Sequence, residues 1–180
     1  MPIYGEKPVP LKLHSETIMK ANPVVAIFPG TFDPITLGHQ DLIARAAALF
    51  DFVWVAVAHG HHKRTLLDLP IRLNLVQAAC SELENVYALG FEGLLSDVAR
   101  AKGAHVLLRG IRSAQDFDYE YSMAGINRQI MPEVETVFLP PRDAHQFVSS
   151  TYVREIAMLG GDVSQWVSPT VLAALTSRSS

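Results

Sequence analysis

The 180-residue chain holds a single cysteine, Cys80, so no intrachain disulfide can form. That scarcity is the usage of a reducing compartment. Cys80 recurs with Leu73, Val76 and Leu83 at helical spacing, which reads as a small core hydrophobe and not as a nucleophile. No apolar run reaches the ~18 residues of a membrane-spanning helix. Residues 1 to 22 carry charges and no apolar block with a cleavage site, so they do not read as a secretory signal. They read as a polar, mobile extension. Positive charge is not in excess: 15 Lys and Arg face 18 Asp and Glu, a formal net charge of −3. No global field gathers nucleic acid, and any polyanion site has to be local. Three signatures are also missing. Without G-x-x-x-x-G-K-[ST] there is no Walker loop, and without G-x-G-x-x-G after the first strand there is no dinucleotide fingerprint. Without G-x-S-x-G there is no serine elbow.

What is present is an alternation. About half of the residues (49%) are hydrophobic and 18% charged, ordinary for a soluble domain with a sizeable core. Five short runs are apolar along their whole length: residues 24 to 28, "FVWVAVA" at 52 to 58, "VYALGF" at 86 to 91, "HVLLRG" at 105 to 110 and "TVFLP" at 136 to 140. Continuous apolar strands belong to a parallel sheet covered on both faces. Helical periodicity fills the gaps. One helix over 39 to 50 shows Leu42, Ile43, Ala46, Leu49 and Phe50 on a single face, and others follow around 70 to 83, 94 to 103, 115 to 131, 150 to 160 and 168 to 177. The expected fold is α/β: a Rossmann-like open five-stranded parallel sheet with helices on both faces, plus C-terminal helices. Residues 23 to 180 form the one domain, after the extension of residues 1 to 22.

In such a sheet, ligands bind beyond the carboxyl ends of the strands, so the residues after each strand carry the function. After the first comes "PGTFDPITLGH", residues 29 to 39. Its glycines let a ligand approach the backbone. Thr31 and Thr36 offer hydroxyls, and His39 opens a helix whose free N–H groups favour an anion. Asp33 or Thr36 reads as the helix cap. After the second comes "HGHHKR", residues 59 to 64, in which Lys63 and Arg64 bring cations to the same edge. His59, His61 and His62 lack a carboxylate or cysteine partner at metal-ligand spacing and read as a solvated loop. After the fourth, Arg109 and Arg112 flank Gly110, either as a bidentate anion clamp or as partners of Asp116, Asp118 or Glu120. After the fifth, Ser149, Ser150 and Thr151 precede a helix. Spacing from Ser150 or Thr151 fits a cap, and the run also fits a phosphate cradle. Together these residues describe a polyphosphate site at the carboxyl edge of the sheet.

"FPGTFDPITLGH", "LLRGIRSAQDFDYE" and "FVSSTYVREIAMLGGDVSQWV" resemble the signature blocks of the bacterial phosphopantetheine adenylyltransferases, within the nucleotidyltransferase superfamily. The likeness runs from about Val24 to Leu175. The T-x-G-H block alone marks only the superfamily, whereas the three blocks in this order mark the enzyme. The resemblance implies that ATP and 4′-phosphopantetheine give dephospho-coenzyme A and pyrophosphate, by direct attack of the pantetheine phosphate on the α-phosphorus. It implies Mg2+ carried by the ATP phosphates and not by protein side chains, a homohexamer, and a cytoplasmic enzyme with no nucleic-acid or membrane partner.

By the same resemblance, Thr31, His39, Lys63 and Arg109 are the catalytic set. His39 would donate to the α-phosphate, and Thr31, Lys63 and Arg109 would hold the acceptor phosphate, with Leu95 a further pantetheine contact. ATP would meet Thr31, Phe32, His39, Gly110, Ile111, Arg112, Glu120, and the run His145, Gln146, Phe147, Val148, Ser149, Ser150 and Thr151. Three features depart from the common pattern: Thr36 stands where many superfamily members have a first histidine (threonine is usual in this family), H-K-R-T-L-L replaces S-K-K-P after the second strand, and the extension has no counterpart. The alternative is a related nucleotidyltransferase with another phosphate acceptor, such as nicotinamide mononucleotide.

Overall fold

A computed structural model describes residues 3–4, 22–60 and 65–177. Six strands form one sheet in the order β1-β4-β3-β2-β5-β6. They are β1 (Ile3–Tyr4), β2 (Val25–Gly30), β3 (Phe52–Ala58), β4 (Val86–Phe91), β5 (Val106–Gly110) and β6 (Glu135–Leu139). The five expected strands are β2 to β6, and all their pairings are parallel. β1 adds an antiparallel edge beside β4, with Ile3 opposite Phe91. Two residues of the expected extension therefore belong to the sheet. The rest of that segment, and the mobility expected of it, lie outside the described residues.

The helices are α1 (Leu37–Leu49), α2 (Leu69–Ala79), α3 (Leu95–Ala101), α4 (Ala114–Ile130), α5 (Ser150–Met158) and α6 (Pro169–Thr176). Successive strand residues point to opposite faces, and the core divides accordingly. Ala26, Phe28, Val53, Val55 and Val57 pack with α1, α2, α5 and α6 on one side, while Ile27, Trp54, Ala56, Leu89 and Leu107 pack with α3 and with Met131 and Val134 on the other. Cys80 is buried in the first cluster at the end of α2, as its spacing implied. On α1, Leu42, Ile43 and Ala46 are buried, but Leu49 is 62% exposed. Leu49 is the last residue of α1, and Phe50 just beyond it packs against the core.

Helix α4 is unlike the rest: none of its residues is buried. Phe117, Tyr121, Ile126 and Ile130 are exposed. The chain leaves β2 toward β3 and β4 on one side, then returns to β5 and β6 on the other. The order reverses between β2 and β5, and a crevice opens there at the carboxyl ends.

Candidate active site

The crevice is a cleft of about 480 Å³, lined by the ends of β2 and β5, the start of α1 and the start of α5. Ten of the expected site residues line it: Thr31, Phe32, His39, Arg109, Gly110, Arg112, Val148, Ser149, Ser150 and Thr151. Gly110 lets Leu42 close against the β5 end, since a Cβ there would stand 2.6 Å from Leu42 Cδ1 and the leucine would have to shift. Phe32 holds a positive φ of 48° in the first turn, a conformation uncommon for an aromatic residue. Its ring meets Phe28 and His39 edge-on, with centroids 5.5 and 5.1 Å away.

His39 sits at the third position of α1 and closes a capping box with Thr36. The Thr36 N–H donates to His39 Nδ1 at 3.1 Å, and the His39 N–H donates to Thr36 Oγ1 at 3.4 Å. The Thr36 hydroxyl lies 2.9 Å from the same Nδ1. A ring nitrogen that accepts from a backbone N–H carries no proton, so the proton is assigned to Nε2. Burial, and after it the charge of Arg112, pull the imidazole down from 6.5 to about 4. The ring at neutral pH is therefore an uncharged Nε2–H donor. The capping and phosphate-facing readings of the histidine are thus compatible, since one nitrogen serves each. Thr36, not Asp33, is the cap.

Of the two readings offered for the arginines at the end of β5, the structure shows the carboxylate pairing, with Glu120 and Asp116 as the partners. Arg109 donates from Nε to Glu120 Oε2 at 2.7 Å and from Nη2 to Glu120 Oε1, while its Nη1 reaches Pro29 O at 3.1 Å. Arg112 pairs with Asp116 at 3.1 Å. Each carboxylate orients a guanidinium that still lines the cleft. Glu120 reaches the site through Arg109. At α5 the cap is Ser149, whose Oγ accepts from Tyr152 N–H at 3.1 Å. Neither Ser150 nor Thr151 caps it: Ser149 is the last residue with extended backbone (φ −133°, ψ 147°). The Ser150 hydroxyl instead donates to Pro34 O at 2.7 Å and ties α5 to the first turn.

Other expected residues stand apart from the cleft lining. Leu95 begins α3 and packs on the second core cluster. The Ile111 N–H donates to Leu139 O at 3.1 Å. His145 packs over Gly38, 3.6 Å from where a Cβ would stand. Gln146 is exposed. Phe147, 84% exposed, borders a smaller hollow with Tyr152 and Trp166. Lys63, with His61, His62 and Arg64, lies outside the described residues. Sequence reasoning passed over Leu42, Ala58 and Pro141, which also line the cleft. Apolar side chains carry no chemical signal, and only the closing of the elements brings them there.

The cytidylyltransferase-like family model matches residues 27–156. A phosphopantetheine adenylyltransferase from an Acidovorax species is 55% identical over 148 residues, covering 82% of this chain and 90% of that protein. One from Cupriavidus metallidurans is 51% identical over 148 residues, covering 82% and 92%. Among solved structures, the Plasmodium falciparum nicotinic acid mononucleotide adenylyltransferase complexed with NaAD superposes with a TM-score of 0.65 at 13% identity, over 87% of this chain and 96% of that one. At that identity the likeness concerns the fold alone. With half of the aligned residues shared across nearly the whole length of the curated relatives, the chain belongs to the phosphopantetheine adenylyltransferase family of nucleotidyltransferases.

Proposed function

We propose that the protein transfers AMP from ATP to 4′-phosphopantetheine, giving dephospho-coenzyme A and pyrophosphate. The observation that carries the reading is the tautomer of His39, a neutral Nε2–H donor in a cleft whose other polar side chains are Arg109, Arg112 and the hydroxyls of Thr31, Thr36, Ser149, Ser150 and Thr151. A phosphate oxygen of the acceptor attacks the α-phosphorus, the bond to the bridging α–β oxygen breaks, and pyrophosphate leaves. A phosphate dianion needs no general base. What the protein supplies is alignment and donors to the developing charge. His39 Nε2–H donates to the α-phosphate and loses no driving force to deprotonation, because it stays neutral throughout.

Thr31, Arg109 and Lys63 hold the acceptor phosphate, with Leu95 on the pantetheine side. Arg112, Gly110, Ile111, Phe32 and Glu120 meet the nucleotide, and the run from His145 to Thr151 takes the β- and γ-phosphates at the start of α5. The donor set fits a triphosphate that brings its own Mg2+. Asp33, Asp116 and Glu120 accept from Leu66, Arg112 and Arg109, so the ion would be held through the ATP phosphates. When bound, the ion neutralises charge on the departing phosphates. A homohexamer and a cytoplasmic location belong to the same proposal by family resemblance. The exposed apolar face of α4 suits burial against another copy, and sedimentation of the purified protein at six protomers is the expected result. Among the described residues, no helix is long and apolar enough to cross a membrane.

The test is pyrophosphate release from ATP with phosphopantetheine, pantetheine or nicotinamide mononucleotide as acceptor. Release with phosphopantetheine alone is expected. Release with nicotinamide mononucleotide in its place would turn the assignment to the alternative acceptor.

A further inference from the structure

Arg72 is a charged residue with 1% of its surface exposed. It lies in α2 and does not line the cleft. A buried guanidinium is costly unless its donors are met, and here backbone carbonyls meet them. Nε donates to Leu67 O at 2.8 Å, Nη1 to Thr31 O at 2.6 Å and to Ala58 O at 2.7 Å, and Nη2 to His59 O at 3.0 Å. The four carbonyls share a location. Thr31 follows β2, Ala58 ends β3 and His59 follows it, and Leu67 leads into α2. Thr31 and Ala58 both line the cleft.

Asp33, 1% exposed, works on the same backbone from the other side. Its Oδ2 accepts from Leu66 N–H at 2.7 Å and its Oδ1 from Leu67 N–H at 2.9 Å. Arg154 of α5 adds Nη1 contacts to the Asp33 carboxylate at 3.2 Å and to its carbonyl at 3.3 Å. Core packing explains none of this, since a well-packed apolar side chain would fill the position of Arg72 without desolvating a charge. What two buried, opposite charges supply is direction: each fixes several backbone groups at once.

We propose that Arg72 and Asp33 are positioning residues for phosphoryl transfer, joining the ends of β2 and β3, the entry to α2 and the start of α5 into one frame that holds Thr31 at the reacting phosphates. The proposal rests on the adenylyl transfer described above. It separates two kinds of residue in the first turn: Thr31 faces the substrates, and Asp33 braces the Leu66–Leu67 segment whose Leu67 carbonyl Arg72 holds together with that of Thr31.

The test is a double-mutant cycle of Arg72→Lys with Thr31→Ala, read by steady-state kinetics. A lysine keeps the charge but cannot reach four carbonyls. Arg72→Lys alone is expected to lower kcat by about thirtyfold, with ATP dissociation changed less than about threefold. In the Thr31→Ala background the same change should cost less than about threefold, because the group being positioned is already gone. An equal loss in both backgrounds, or near-normal kcat in Arg72→Lys, overturns the proposal. Asp33→Asn, which retains one acceptor, should give a smaller loss with the same non-additivity, and it decides the matter if Arg72→Lys does not fold. Hydrogen exchange at the Leu66 and Leu67 amides supplies a readout independent of the reaction. It should accelerate in Arg72→Lys, and unchanged protection there overturns the frame. A wild-type protein that releases no pyrophosphate with phosphopantetheine would instead remove the proposed reaction, and amide exchange would still decide whether the frame exists.

Discussion

Two helix starts face the same cleft, and they are built differently. At α1, Thr36 and His39 bond each other, Phe28 and Phe32 enclose the ring, and one imidazole nitrogen is left for a ligand. At α5, Ser149 caps, Ser150 reaches across to Pro34, and the flanking Phe147 and Tyr152 are largely exposed. The first holds its imidazole enclosed by aromatic rings, and the second is a more open start with exposed flanks. The contrast teaches a division of labour: the enclosed start suits a charge that develops only during reaction, and the open one suits a charge already present when ATP arrives.

Breaking the enclosed start should have the largest effect. His39→Ala is expected to lower kcat at least about a hundredfold, with ATP affinity changed much less. Near-normal turnover would erase the distinction between the two helices. Thr36→Val removes the hydroxyl that both caps α1 and touches Nδ1. It should cost about 1 kcal/mol in a denaturant titration and reduce kcat several-fold, since the imidazole loses one of the contacts that fix its proton. Ser149→Ala should cost a similar ~1 kcal/mol of stability but act on KM for ATP, leaving kcat within about threefold. A kcat loss as deep as that of His39→Ala would show that the open start takes part in the chemical step.

The last effect concerns pH. The imidazole of His39 is lowered from 6.5 to about 4 on folding, so between those values the unfolded chain holds a proton that the folded chain lacks. Stability therefore rises with pH across that window and is lost as pH falls from about 6.5 toward 4. His39→Asn should flatten this part of a stability profile, measured by denaturant midpoints at successive pH values. The pH–kcat profile of the wild type should show no limb from His39 near 6.5.

Much of this was legible in the chain. Continuous apolar strands gave a parallel sheet, and the end of β5 with the residues after β2, β5 and β6 contained ten that meet in the cleft. Chemistry-bearing residues are visible because glycine, histidine, arginine and serine runs are poor choices for packing alone. The uses of Arg72 and Asp33 were not visible. Arg72 stands amid an apolar helix pattern, and its carbonyl partners come from positions as distant as Thr31. Leu95 was named by the resemblance alone, and it begins α3, partly buried against the second core cluster. The open face of α4 was hidden too, because its aromatics look like those of any amphipathic helix until the sheet has taken its neighbours.

The sequence by itself determined the alternation of strand and helix, the carboxyl-edge location of the site and the family, because hydrophobic period and short-range motifs are local properties. Only the tertiary structure decided that Thr36 rather than Asp33 caps α1, that His39 carries its proton on Nε2, and that a buried arginine from α2 spans two strand ends. Those outcomes depend on which donors and acceptors meet across folded segments, and such meetings are fixed by how the backbone closes on itself.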